Sequence, residues 1–288
     1  MKVAIFGNKY QSDKHTYAKK LIKLLQKEKV KVTICSNFYH SLYNVPTHSP
    51  NSLEILKENE PVSADIAISM GGDGTFLRTA NRIGDNNIPI LGINTGRLGF
   101  LADISPEEIE VAVDELLNQH YTIEERTVLK LSVAEKKELF ALNEVAILKR
   151  DTSSMISIET TINNTFLTTY QADGLIIATP TGSTAYSLSV GGPIIAPNSN
   201  TVVITPVAPH SLNIRPVVVC DHTEIELKVS SRSHNFLISV DGKSYTCKEG
   251  TVLNIQKAGY TVKVIKRHNH QFFSTLRSKL MWGADKRL

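Results

Sequence analysis

The sequence predicts an α/β N-terminal domain with a parallel sheet, an all-β C-terminal domain, and a final helix that returns to the first domain. Residues 1–122 alternate short apolar runs with helical patterns, which is typical of a parallel sheet covered on both faces. Residues 123–270 are dominated by short β-branched runs separated by turn residues, the pattern of a β-rich domain. Helical spacing returns at 272–282, so we expect the tail, 271–288, to pack against the first domain.

In the N-terminal domain, continuous apolar runs predict strands and amphipathic stretches predict helices. Pro46, Pro50 and Pro61, together with many polar residues, indicate a long loop with one short helix. In chain order we expect strand 2–6, helix 16–27, strand 30–35, loop 40–61, strand 65–70, helix 75–83, strand 88–93 and helix 106–118.

The C-terminal domain is predicted from its β-branched runs. Turn signals such as Asn163-Asn164 and Asp241-Gly242 separate these runs, as in a sandwich or closed barrel. The expected strands cover 129–133, 142–148, 156–162, 175–179, 202–206, 217–220, 224–229, 236–240 and 261–265.

Composition describes a globular protein and limits its partners. The 288 residues are 41% hydrophobic and carry a net charge of +4, which is too small to indicate nucleic-acid binding. No apolar run approaches the roughly 18 residues of a membrane span, and the first residues lack a signal peptide's pattern. The cysteines Cys35, Cys220 and Cys247 are far apart and odd in number, so we expect a reducing, cytoplasmic location without membrane partners.

A glycine-rich stretch after the predicted strand 65–70 carries a carboxylate at its centre. Gly71, Gly72 and Gly74 permit close approach to the backbone, and the start of the following helix favours a phosphate. Asp73 is therefore a turn residue, a metal ligand or a catalytic base, and an ordinary turn capped by Asp73 or Thr75 explains the stretch equally well.

Three familiar phosphate and nucleophile motifs are excluded. Gly242-Lys243-Ser244 ends like a P-loop, but Leu237 stands where the first glycine belongs. The dinucleotide-binding pattern fails at Leu77, which replaces its third glycine. No serine stands between glycines as a nucleophile elbow requires.

Two further segments favour a polar ligand over a simple turn. Residues 181–187 hold five hydroxyl side chains among small residues, with Tyr186 available to stack on a flat ring. Asn143 and Glu144 interrupt an otherwise apolar strand, where an amide suits a base edge and a carboxylate suits ribose hydroxyls. A serine- and threonine-rich turn, and the polar face of an edge strand, are the structural alternatives.

Taken together, these segments resemble the NAD kinase family over residues 69–282. The motifs that carry the resemblance are G-G-D-G-T at 71–75, N-T-G-R-L-G-F-L at 94–101, N-E at 143–144, D-G through T-P-T-G-S-T-A-Y-S-L-S to G-G-P at 173–193, P-H-S-L at 209–212 with R-P at 215–216, and the tail 276–282. The G-G-D-G-T motif alone is weak, because phosphofructokinases and lipid kinases also carry it, whereas the ordered combination is specific.

The resemblance implies transfer of the γ-phosphoryl group of ATP to the 2′-hydroxyl of the adenosine ribose of NAD, with Asp73 as the general base. It implies NAD and ATP as substrates, a divalent cation (Mg²⁺) that screens the phosphates, and a homodimer or homotetramer. The metal ligands are not identified by the sequence. The residues expected to bind nucleotide are Gly71, Gly72, Gly74, Thr75, Arg78, Asn94, Asn143, Glu144, Asp173, Thr181, Thr184, Ala185, Tyr186, Ser187, Leu188, Ser189 and Ala208.

Two other functions share part of this pattern. A lipid kinase of the diacylglycerol or sphingosine type also carries G-G-D-G-T, but it needs an apolar pocket where this chain has hydroxyls. A protein that senses pyridine nucleotides without phosphorylating them would share the whole binding pattern, and the carboxylate at Asp73 favours the enzyme.

Overall fold

The computed structural model describes residues 1–7, 15–43, 53–96, 99–133, 137–151, 154–268 and 271–283. The helices are α1 (His15–Lys27), α2 (Ser36–Tyr43), α3 (Asp73–Ile83), α4 (Ile109–Leu117), α5 (Tyr186–Ser189) and α6 (Phe272–Leu280). The strands are β1 (Lys2–Gly7), β2 (Lys31–Cys35), β3 (Glu54–Leu56), β4 (Ile66–Met70), β5 (Ile90–Ile93), β6 (Tyr121–Val133), β7 (Lys137–Ala141), β8 (Glu144–Lys149), β9 (Ile156–Ile162), β10 (Thr165–Ala172), β11 (Gly174–Ala178), β12 (Thr201–Val207), β13 (Val217–Cys220), β14 (Ile225–Ser230), β15 (Asn235–Val240), β16 (Lys243–Lys248) and β17 (Val252–Arg267).

The chain divides into two units. The first comprises residues 1–125 and 262–288, and the second comprises 126–261. The sequence-based boundaries lay after residue 122 and after residue 270. The predicted fold class is confirmed, since the first unit is α/β with parallel strands and the second is β-rich. No helix in the described part of the chain is both long and apolar enough to cross a membrane.

Parallel strands form the sheet of the first unit in the order β5-β4-β1-β2-β3. Every residue of β4 is buried, as expected for a central strand covered on both faces. Helix α1 has apolar residues at helical spacing and buries Leu21, Ile22 and Leu25 in the core of this unit. The end of β17 extends the sheet, where Val264 pairs parallel to Ile90.

Two antiparallel arrangements build the second unit. One sheet has the order β13-β12-β11-β8-β15-β16, and the other contains β10, β9, β14 and the first part of β17, with β6 pairing β7. Their inward side chains form one apolar core that includes Ile147, Ile177 and Phe236. Strands β8 and β11 are the centre of the first sheet, so their ends offer a rigid platform for side chains.

Several elements differ from the sequence-based expectation. Helix α2 and strand β3 lie partly within the predicted loop 40–61. Helix α2 has only modest helix propensity, and it is stabilised because Phe38, Tyr39 and Leu42 are buried in the core of the first unit. Pro46 and Pro50 lie outside the described residues. Helix α3 starts at Asp73, two residues earlier than predicted.

The strands β7, β10 and β16 were not predicted. The alternate residues of β16 are exposed, so the strand has little apolar signal of its own. Pairing with β15 supplies its backbone hydrogen bonds, just as pairing with β9 forms β10. Mostly exposed strands such as these depend on their neighbours more than on their own composition.

Replacing Leu25 by alanine should lower the free energy of unfolding by about 2–5 kcal/mol, because the side chain is fully buried and the deletion leaves a cavity. Urea unfolding followed by circular dichroism measures the change. The matched control is Lys23→Ala on the exposed face of the same helix, which should change stability by less than about 0.5 kcal/mol. Equal effects of the two substitutions would contradict the assigned face of α1.

Candidate functional site

A glycine turn joins β4 to α3 in the first unit. The Gly71 N–H donates to the Ile93 carbonyl at 2.9 Å, and its φ of 151° is a value that side chains disfavour. A Cβ at Gly71 would stand 2.4 Å from the Thr75 hydroxyl oxygen. At Gly72, by contrast, a Cβ would meet nothing within 4 Å, so the backbone there is open to an incoming group.

Asp73 is the first residue of α3, and its carboxylate is held by three consecutive backbone amides. The N–H of Phe100 donates to Oδ2 at 2.8 Å, while those of Leu101 and Ala102 donate to Oδ1 at 3.1 and 3.0 Å. Gly99 lies against the same carboxylate, and a Cβ there would stand 2.0 Å from Oδ1. Three amide donors fix the direction of the Asp73 carboxylate.

The segment that carries these amides is itself well anchored. The side-chain amide of Asn94 donates to the Ala102 carbonyl at 3.1 Å, and its oxygen accepts from the Gly96 N–H at 2.6 Å. One residue further, Asp103 forms a buried ion pair with Lys266, with 2.5 Å between Nζ and Oδ2. Asn94 therefore holds in place the loop whose amides orient the Asp73 carboxylate. Arg97 and Leu98, which are part of the same sequence motif, lie outside the described residues.

Two basic side chains of the first unit lie beside the turn. Arg78 is one helical turn along α3 and donates from Nη2 to the Thr75 hydroxyl at 3.0 Å. Lys279 on α6 has its Nζ 3.5 Å from Asp73 Oδ2. The expected return of the tail helix to the first unit is thus seen at this carboxylate.

In the second unit, a carboxylate–amide cluster of the same kind fixes the start of β8. The Asp241 carboxylate accepts the N–H groups of Leu142, Asn143 and Glu144 at 2.8, 2.9 and 3.1 Å. Asp241 has a positive φ of 46°, in the turn between β15 and β16. Burial raises the pKa of Asp241, and the three N–H donors oppose that rise.

Glu144 and Asn143 keep buried oxygens that the described residues do not bond. Glu144 is 8% exposed and Asn143 is 9% exposed, and neither Glu144 Oε2 nor Asn143 Oδ1 has a hydrogen-bond partner among the described side chains and backbone. Burial, followed by the charge of Asp241, raises the pKa of Glu144 to about 7, although the Tyr186 N–H donates to it. Buried acceptors without partners are rare in folded proteins, so the pair is suited to a ligand that donates hydrogen bonds.

The hydroxyl-rich segment divides into buried and accessible members. The Ser187 hydroxyl is fully buried and bonds that of Thr205 at 3.0 Å, while the Thr181 hydroxyl lies 3.5 Å from Nη1 of Arg126. Tyr186 is 37% exposed, which leaves its ring available for stacking. The segment is held to β8 by the Thr179 hydroxyl, which donates to the Leu142 carbonyl at 2.6 Å.

Close backbone contact brings this segment to the N-E pair. Gly182 passes so near Asn143 that a Cβ would stand 2.1 Å from its carbonyl oxygen. Asp173 lies at the other end of β11, where its carboxylate pairs with Lys149 Nζ at 2.7 Å. Ala208 is exposed and has a φ of 44°.

The structure brings the predicted residues together in the first unit and divides them in the second. The first unit holds Gly71, Gly72, Asp73, Gly74, Thr75, Arg78 and Asn94 around one turn. In the second unit, one set lies where β8 begins and after β11 ends: Asn143, Glu144, Thr181, Thr184, Ala185, Tyr186, Ser187, Leu188 and Ser189. Asp173 and Ala208 lie at the opposite strand ends, where β11 begins and β12 ends. Among the described residues, no three histidine, cysteine, aspartate or glutamate side chains gather as a metal site.

Sequence reasoning missed three residues that organise these groups. Asp241 was interpreted only as part of a turn signal, although it binds the backbone of both N-E residues. Gly99 and Lys279 stood inside recognised motifs without an assigned role. Their contacts with Asp73 span 26 and 206 positions along the chain, so local patterns could not reveal them.

The chain is similar to known proteins over its whole length. The ATP-NAD kinase N-terminal domain family matches residues 3–121, and the ATP-NAD kinase C-terminal domain family matches residues 142–267. A curated NAD kinase of Bacteroides fragilis is 60% identical over 291 residues, and one of Flavobacterium psychrophilum is 45% identical over 294 residues. Each alignment covers 100% of both chains.

Solved structures agree with these matches. Yeast NADH kinase complexed with NADH has a TM-score of 0.91 at 24% identity, covering 100% of this chain and 89% of that one, which bears on the fold alone. An NAD kinase from Archaeoglobus fulgidus in complex with ATP has a TM-score of 0.75 at 26% identity, covering 98% of this chain and 99% of that one.

The buried carboxyl of Glu144 should make stability depend on pH. The pKa of Glu144 is about 7 in the folded chain, against an ordinary value of 4.5. The folded chain therefore favours the neutral acid. The contribution of Glu144 to the free energy of unfolding is full below pH 4.5 and is lost as pH rises through 7. Glu144→Gln removes that loss, and between pH 5 and 8 the variant should gain up to about 3 kcal/mol relative to the parent. Urea unfolding across this range measures the difference. A difference in unfolding free energy between Glu144→Gln and the parent that does not change with pH would contradict the raised pKa of Glu144. The control is Glu224→Gln, which changes an exposed carboxylate.

Proposed function

The chain belongs to the NAD kinase family, and on that premise we propose that Asp73 receives the proton of the NAD ribose 2′-hydroxyl during phosphoryl transfer. The activity is that of an ATP-dependent NAD kinase, which converts NAD to NADP. The family assignment removes the lipid-kinase alternative. The proposals below concern which residues carry the reaction.

The observation that carries the proposal is the orientation of Asp73. Its carboxylate is fixed at the N-terminus of α3 by the amides of Phe100, Leu101 and Ala102. The neighbouring Gly72 leaves open space over the backbone, where a phosphate can approach the positive end of the helix. A positioned carboxylate beside a phosphate-accepting turn is the arrangement that phosphoryl transfer to an alcohol requires.

In the proposed step, the ribose 2′-oxygen forms a bond to the γ-phosphorus of ATP. The bond between that phosphorus and the bridging oxygen breaks, and ADP leaves with the electron pair. The hydroxyl proton passes to a carboxylate oxygen of Asp73 and then to solvent. Most of the rate acceleration comes from alignment and charge stabilisation, and a general base adds about 10² to 10⁴.

A divalent cation, Mg²⁺, is the proposed cofactor. Mg²⁺ is usually held by one or two carboxylates together with substrate phosphates, so it needs no dedicated protein cluster. The open turn at Gly72 fits such a metal–nucleotide complex, with the phosphates as its principal ligands. When bound, the ion neutralises charge on the transferring phosphoryl group.

The second unit supplies the proposed NAD contacts. The unbonded oxygens of Asn143 and Glu144 would accept hydrogen bonds from the adenine amino group and the ribose hydroxyls. The half-exposed ring of Tyr186 would stack on a base. The remaining nucleotide-binding residues are proposed from the family resemblance alone.

We also propose a cytoplasmic homodimer or homotetramer. All three cysteines are free, as expected in a reducing compartment. Leu212 and Val218 are large apolar side chains that are exposed in a single chain and would be covered by a second copy.

Asp73→Asn should lower the rate of NADP formation at least about 10²-fold, because the amide cannot accept the hydroxyl proton. The affinity for NAD should stay within about threefold, since the asparagine oxygen can still accept a hydrogen bond from the 2′-hydroxyl and the other proposed NAD contacts are unchanged. Purified protein is incubated with ATP, Mg²⁺ and NAD, and NADP is measured by a coupled dehydrogenase assay.

The control for this substitution is Asp85→Asn, which changes an exposed carboxylate of the same unit and should leave turnover unchanged. Hydrogen exchange at Phe100, Leu101 and Ala102 reports whether the loop stays in place. A variant with near-normal turnover would refute Asp73 as the base, whatever the state of the loop.

The Michaelis constant for NAD should fall as pH rises from 6 to 8. Glu144 has a pKa of about 7, and its ionised form accepts hydroxyl hydrogen bonds more strongly than the neutral acid. Glu144→Gln should flatten this dependence, whereas Glu224→Gln should keep it. Initial rates at varied NAD concentration provide the measurement, and an unchanged pH dependence in Glu144→Gln would exclude a direct role.

A further inference from the structure

The tail helix brings a cation to the proposed catalytic carboxylate. Lys279 of α6 has its Nζ 3.5 Å from Asp73 Oδ2, the oxygen that also accepts the Phe100 N–H. The side chain of Lys279 is 30% exposed, so a ligand can reach its ammonium group. Asp73 and Lys279 therefore form a half-buried, solvent-accessible ion pair.

One aromatic ring contacts this lysine, and a second ring packs against the first. Its ammonium lies over the ring of Phe100, 4.4 Å from the centroid, a distance typical of a cation–π contact. The Phe100 ring packs in turn against Phe272 at the start of α6, with 6.3 Å between centroids. Buried Leu276 anchors the middle of the helix. Lys279 is therefore held by both a carboxylate and a ring.

From this geometry we propose that Lys279 is the cation that binds the γ-phosphoryl group of ATP beside Asp73. This inference rests on the proposed function. The anionic Asp73 alone would repel a triphosphate, whereas the Asp73–Lys279 pair carries no net charge. An ammonium with three donors can keep its bond to the carboxylate and donate another to a phosphoryl oxygen. Lys279 transfers no proton in the proposed step, so it forms and breaks no covalent bond.

This role also assigns a function to the tail segment. Phosphoryl transfer gains most from donors aimed at the oxygens where charge develops. The glycine turn supplies backbone amides, and α6 adds the ammonium group of Lys279 beside the carboxylate. The helix therefore completes the phosphate site of the first unit.

The proposal is tested with Lys279→Met, Lys279→Arg and the control Arg277→Gln, which removes an exposed cation from the same helix. Lys279→Met should lower kcat for NADP formation about 10²-fold, because removing one transition-state donor typically has that effect. Lys279→Arg should recover at least about tenfold of this loss, and Arg277→Gln should stay within about twofold of the parent.

Binding measurements separate a phosphate contact from a merely structural tether. Calorimetry compares β,γ-imido-ATP with ADP, each with Mg²⁺, in all variants. A γ-phosphate contact predicts that Lys279→Met weakens the ATP analogue about tenfold while ADP is unchanged. Equal weakening of both ligands, or of neither, would overturn the proposal.

Failure of the proposed function and failure of the inference about Lys279 give different results. If the parent protein forms no NADP, the proposed function fails, but the two-ligand comparison still decides whether Lys279 contacts the terminal phosphate. If the parent is active and Lys279→Met equals Arg277→Gln in turnover and binding, the inference about Lys279 fails alone. Thermal unfolding of each variant confirms that the compared proteins are folded.

Discussion

The first unit depends on one cluster of hydrogen bonds, the Asp73 carboxylate with the amides of Phe100, Leu101 and Ala102. Charge-assisted bonds of this kind are about twice as strong as neutral ones, and three in succession fix a loop that has no regular structure. The same bonds determine the direction of the carboxylate itself. The same three hydrogen bonds therefore fix the conformation of the loop at Phe100–Ala102 and the orientation of the proposed base, so a change in one must affect the other.

The second unit uses an equivalent device for a different purpose. Asp241 binds the amides of Leu142, Asn143 and Glu144, and so fixes the N-E pair at the start of β8. Burial, and after it the negative charge of Asp241, raises the pKa of Glu144 to about 7. Asn143 Oδ1 and Glu144 Oε2 are buried without a hydrogen-bond partner among the described residues, which costs stability. Folded proteins usually pair such buried acceptors, so their presence here supports the proposed binding role. The Asp241 turn therefore fixes the backbone of the two residues that are proposed to bind the ligand.

Much of the fold could be predicted from sequence. The apolar strand β4, the amphipathic helix α1 and the β-branched runs of the second unit carry their own signals. Strands such as β16 do not, because most of their residues are exposed and only pairing with β15 forms them. Helix α2 was hidden for a related reason, since its stability comes from tertiary packing of Phe38 and Tyr39 and not from helix propensity.

For the candidate site, the residue types that supply the chemistry could be recognised in the sequence: a glycine turn with one carboxylate, an amide–carboxylate pair, and a hydroxyl-rich segment with one aromatic ring. Those residue types follow each other locally, so their spacing could be interpreted. The folded structure was needed to show that Gly99 and Lys279 meet Asp73, that Asp241 holds Asn143 and Glu144, and that Ser187 bonds within the protein. These contacts join residues far apart in the chain, and their energies depend on burial and distance, which exist only once the chain has folded.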